Sequence, residues 1–141
     1  MSDRYLCKAK RVDNREWVRG LPSYDINGNI TELEIYKGFA DCEIVEIDPS
    51  TICKCTGKEY MDGEIAYEGD IYENPECGII FVLKYGTYEA YCPADRCYMD
   101  NVGFYAEAAG YPQMPIGDLK DYGLKRGNIF DNPELLEGGT Q

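Results

Sequence analysis

The side chains in this chain that could do chemistry are carboxylates and thiols. Glu64, Glu68 and Asp70 crowd into one stretch, TICKCTGKEYMDGEIAYEGDI at 51–71. Oxygen ligands gathered at the start of a strand can hold Mg²⁺ for phosphoryl chemistry, so this trio is the best case for an enzyme. Acidic residues are frequent along the whole chain, however, and chance crowding explains the trio better. Glu68 and Asp70 are then expected to accept backbone N–H bonds in a bend. Cys53-x-Cys55 and Cys92-x4-Cys97 could be paired into a four-thiolate zinc site. A single intervening residue is fewer than the roughly two to four that a zinc knuckle needs, which favours structural thiols. The chain has no histidine. That removes the usual general base, the usual zinc nitrogen ligand and any Ser-His or Cys-His nucleophile pair. No glycine loop of P-loop or Rossmann spacing is present either. The reading is a chain with no catalytic residue and no cofactor.

The elements that must carry these side chains read as short strands and turns. Residues 4–12 alternate like a half-exposed strand, Asp13-Asn14 turns, and REWVRG returns to close a hairpin that Leu21-Pro22 ends. Trp17, the only tryptophan, is expected mid-strand as a core or inter-lobe anchor. Asn27-Gly28 is the strongest hairpin signal, leading into ITELEIYK at 30–37. DCEIVEI at 41–47 reads as a strand covered on both faces. Asp48-Pro49-Ser50-Thr51, Thr56-Gly57 and Asp62-Gly63 are turn signals, and Gly69-Asp70 is a bend before the next strand. Asn74-Pro75 interrupts before GIIFVLKYG at 78–86, a buried strand. Tyr85-Gly86-Thr87 is read as the turn of a second hairpin, with Pro93-Ala94-Asp95-Arg96 as a loop. Residues 102–109 fit a strand by their alternation and a short helix by their alanines, with strand favoured; 110–118 are read as an irregular loop, 124–130 as strand, and Pro133-Glu134-Leu135-Leu136 as a helical turn. GDIYENPE at 69–76 echoes GNIFDNPE at 127–134. A duplicated β lobe would explain the echo, but two strand ends closed by Asn-Pro turns explain it more simply.

The stretch 51–71 resembles the central signature of the YopX-like family of phage and prophage proteins. The carrying residues are Thr56-Gly57, then Lys58-Glu59, then Tyr67-Glu68-Gly69-Asp70-Ile71. KRVDNREWVRG at 10–20, with Trp17, resembles the family's opening hairpin. GNIFDNPELLEG at 127–138, with Asn132 and Pro133, resembles its closing segment. Cys53 and Cys55 depart from the family pattern. The resemblance implies a mostly β fold, a phage or prophage origin and oligomeric assembly, and it brings no catalytic residues.

Composition agrees with short strands: 141 residues with 15 Gly, 7 Pro and 13 Tyr. The first 20 residues hold six basic and three acidic side chains, yet the net charge is −12. A field of that sign repels nucleic-acid backbones, which argues against direct DNA or RNA binding. With no apolar run long enough to span a bilayer and no signal peptide, the expected location is the host cytoplasm, with seven thiols left reduced. The expected architecture is all-β: small bent antiparallel sheets in barrel-like, SH3-like lobes with a short C-terminal helical turn. One YopX-like domain over 1–141 is expected, with two β lobes meeting near 48–68. The expected function is that of a non-enzymatic accessory protein acting on a host or phage protein or by homo-oligomerisation, with no membrane partner. A Mg²⁺-dependent nucleic-acid enzyme and an acidic DNA mimic are the alternatives.

Overall fold

The computed structural model describes residues 6–137. The chain is 58% strand and 8% helix, in two antiparallel sheets of which one is curled into a half-barrel. It divides into two compact units, one ending at Gly57 and the other beginning at Lys58. Among the described residues no helix is long and apolar enough to cross a membrane.

In the first unit, β1 (Cys7–Lys10), β2 (Trp17–Tyr24), β3 (Ile30–Gly38) and β4 (Asp41–Glu46) follow as successive hairpins, and β5 (Cys53–Glu59) pairs with the free side of β1. Period-two alternation puts Cys7, Ala9, Leu33, Val45 and Ile47 on one face, where they form the core. The sheet curls because β4 returns to β1: Ile47 bridges Arg11, and the Asp48 N–H donates to the Lys10 carbonyl at 2.9 Å. Asp48 then caps a 3-10 turn over Pro49–Thr51, as the Asp-Pro signal predicts.

Several readings need correction here. Pro22 does not end β2. It pairs with Leu33, and among the described residues the strand beyond Gly20 has a ladder neighbour on one side only, where a missing N–H is tolerated. β4 is covered on one face, not two, because only the Val45 side meets the core: Val45 is buried while Cys42, Ile44 and Glu46 are exposed. Trp17 opens β2 instead of sitting mid-strand and lies outside the core cluster. It is on the opposite face from Val18, half-buried, with the ammonium groups of Lys8 and Lys10 at 4.7 and 5.4 Å from its ring centre. Thr56 and Gly57 lie within β5. Gly57 does take a positive φ, of 78°, which distorts the strand without ending it.

In the second unit, Asp62-Gly63 turns β5 into β6 (Ile65–Tyr67), and β7 (Asp70–Asn74) follows. β8 (Ile79–Cys92), β9 (Cys97–Glu107), β10 (Met114–Pro115) and β11 (Leu124–Asn128) complete the second sheet in the order β10-β9-β8-β7-β11. α1 (Leu119–Tyr122) and α2 (Glu134–Glu137) are single helical turns. The core gathers Tyr60, Tyr72, Phe81, Leu83, Ala106 and Leu119, with Tyr72 stacked on Phe81 at 5.2 Å. Tyr85-Gly86-Thr87 is not a turn. β8 runs unbroken through it, and the hairpin reverses at Pro93–Arg96. Residues 110–118 are not wholly irregular, because Met114 packs on the core and draws Met114–Pro115 against β9. The 69–76 and 127–134 octapeptides do not mark two lobes. Asp70 pairs with Asn128 across neighbouring strands of one sheet, and the second copy leaves its strand after Asn128.

Candidate functional site

The carboxylate trio does not converge. Glu64 is exposed in the turn before β6, where its N–H donates to Asp62 and its carbonyl accepts from Tyr60. Glu68 is half-buried, and Asp70 is fully buried. Among the described residues no three of the His, Cys, Asp or Glu side chains lie close enough to hold a metal ion. The thiols form no such group either: Cys53 and Cys55 are buried in β5, and Cys92 and Cys97 sit at the hairpin end of β8 and β9.

Asp70 is the polar centre of the second unit. Its Oδ2 accepts from the Tyr67 N–H and from the Tyr60 hydroxyl, each at 2.9 Å, and Lys125 Nζ lies 3.8 Å from Oδ1. The first bond closes the Tyr67–Asp70 turn, which requires Gly69 at φ 89°. Gly69 ties that turn down: its N–H donates to Leu83 at 2.7 Å and its carbonyl accepts from Ile129 at 2.9 Å. Burial, and then the Asp70 carboxylate, push the Tyr60 phenol well above the usual tyrosine range, so it stays a protonated donor. Asp70 has no exposed surface, and its bond to the Tyr60 hydroxyl lies inside the core. Tyr67, Glu68, Gly69 and Asp70 thus form a structural joint. Asn132 belongs to a second one: its Oδ1 accepts from the Asn128 N–H at 3.2 Å, and a side chain at Gly127 would collide with that same oxygen. Pro133, exposed, begins the turn into α2.

The accessible features are a groove and an arm. The groove, about 1160 Å³, is open and largely apolar, lined by Ile79, Val82, Tyr85, Tyr105, Tyr111 and Leu136 among others. In its lining, Lys84 and Glu107 pair at 2.7 Å, and Gln113 donates to Glu107 at 3.1 Å. Lys84 first, and Gln113 second, hold the Glu107 carboxyl below its ordinary range.

The arm is the far end of β8 and β9. β8 pairs with β7 only at Ile79–Val82, and β9 with β10 only at Tyr105 and Ala106. From Lys84 to Phe104, therefore, the two strands have only each other as ladder neighbours among the described residues. Alternation divides their side chains cleanly. One face carries the cross-strand pairs Tyr85–Phe104, Thr87–Val102, Glu89–Asp100 and Tyr91–Tyr98. Tyr85–Phe104 and Tyr91–Tyr98 meet edge to face at 4.8 and 5.3 Å. Tyr91, Tyr98 and Val102 are at least half exposed. Sequence reasoning missed this surface by placing a turn at Gly86. The signal that finds it is the alternation on both sides of Pro93–Arg96, which matches rung for rung once that loop is taken as the reversal.

Comparison of the chain with family models, with curated proteins and with solved structures gives no match.

Proposed function

We propose that this chain is a non-enzymatic phage or prophage accessory protein that works through protein–protein contact or self-assembly, with the β8–β9 arm as its contact element. The observation that carries this reading is an arm with one aromatic face and two outer edges that, among the described residues, have no ladder partner beyond its base, the Glu89 N–H being met there by the Gln113 side chain. Long open edges are templates for another chain, and Tyr is enriched where proteins meet. The resemblance of residues 51–71 to the YopX-like signature supports the phage origin. The Mg²⁺ alternative has no convergent ligand set among the described residues to stand on.

The test compares the wild type with the double variant Tyr91→Ala/Tyr98→Ala, in affinity capture from host lysate and in light scattering. The wild type is expected to hold one protein stoichiometrically or to form a closed oligomer. The variant should lose that association by about tenfold or more while keeping its melting temperature. A wild type that neither associates nor captures, or a variant that associates as well, defeats the reading.

A further inference from the structure

Residues directly opposite in an antiparallel pair have Cα atoms about 4.5 or 5.5 Å apart. Both spacings fall inside the window of roughly 4.4–6.8 Å that disulfides span between Cα atoms, and facing side chains stand about 4.5–5.5 Å apart at Cβ, so a small local adjustment brings the sulfurs together. The β8–β9 hairpin holds such a pair: Cys92 faces Cys97 across the last rung before the Pro93–Arg96 turn. Both are free thiols, Cys92 half-buried and Cys97 exposed. None of the other five cysteines has this setting. Cys7, Cys53 and Cys55 are buried, Cys42 faces Tyr36, and Cys77 lies in the turn after β7.

We propose that Cys92 and Cys97 are a reversible thiol–disulfide site whose co-reactant is a small-molecule disulfide of the oxidised-glutathione type. The thiolate of one cysteine attacks a sulfur of the co-reactant, forms a mixed disulfide and expels one small thiolate. The facing cysteine loses its proton to solvent and attacks the protein-bound sulfur, forming the Cys92–Cys97 bond and expelling the second thiolate. The protein gives up two electrons and two protons, and the co-reactant leaves as two thiols. Because the second sulfur is held across the rung, the second step is intramolecular, with an effective concentration on the order of millimolar or above. The bond fixes the terminal rung of the arm, one residue beyond Tyr91 and Tyr98, where a two-stranded ribbon otherwise frays.

The experiment treats the full-length protein, all seven cysteines present, with oxidised glutathione at neutral pH, then alkylates free thiols and maps peptides by mass. Cys92 and Cys97 should together escape alkylation and be lighter by two hydrogens. C92S and C97S should each instead accumulate a glutathione adduct on the remaining cysteine, about tenfold above the adduct seen on the wild type. In the oxidised wild type, amide exchange at Tyr91 and Tyr98 should slow several-fold, returning to the starting rate on reduction. Persistent alkylation of both cysteines overturns the proposal. So do wild-type adducts equal to those of the single variants, or intermolecular disulfides through Cys42 or Cys77 with the facing pair left free.

Discussion

Asp70 shows how one carboxylate can look catalytic in a sequence and be structural in the fold. It satisfies a backbone N–H and a phenol that are both buried, and removing it orphans the two at once. Asp70→Ala is expected to cost about 3–5 kcal/mol, and Tyr60→Phe, which deletes one donor and keeps the turn, about 1–3 kcal/mol. Urea melts of the two variants check this. Equal losses would mean that the turn does not depend on the carboxylate. The bend at Gly69-Asp70 and its acceptance of a backbone N–H were legible from residue type alone. The contribution of Tyr60 was not, because nothing local says that a tyrosine ten positions upstream meets the aspartate. Trp17 failed for a similar reason. A large aromatic reads as core, but the pleat decides the face, and Val18 takes the inner position.

At the scale of the element, the arm depends on a single rung. Gly86 faces Gly103, with φ values of 150° and 156° that side chains rarely adopt, and nothing lies within 4 Å of an added Cβ at either position. The space is free but the backbone is not. Gly103→Ala is therefore expected to cost about 1–3 kcal/mol through strain. Amide exchange from Tyr88 to Tyr98 should rise while the core strands keep their protection. Unchanged exchange in the arm would show that the rung does not set its shape. Turn chemistry made most boundaries readable, as at Asp13-Asn14, Asn27-Gly28, Asp48-Pro49 and Asp62-Gly63. It misled where a glycine serves a strand: Gly57 and Gly86 both lie inside one, because ladder bonds can hold a positive φ that an isolated peptide would use to reverse. The α1 turn left no readable period because it is a single turn, fixed by the complete burial of Leu119.

For the whole molecule, a net charge of −12 means that folding concentrates like charge. The exposed ion pairs, Arg15–Asp48, Lys37–Glu43 and Lys84–Glu107, give little back individually. Salt should therefore stabilise, with a rise of about 2–5 °C in melting temperature between about 0.05 and 0.5 M NaCl. A fall instead would show that the pairs outweigh the repulsion. The pairing pattern also sets an order in time. Every rung of β1 with β2, β2 with β3, β3 with β4, and β1 with β5 lies within the first 54 residues. β7 must wait for β11, whose last paired residue is Asn128. On a ribosome, the first sheet can therefore zip up by local hairpins while β7, paired with the start of β8 on one side, still has its other edge open for a strand not yet synthesised. That interval leaves the outer edge of β7 open as a template for other chains until β11 arrives.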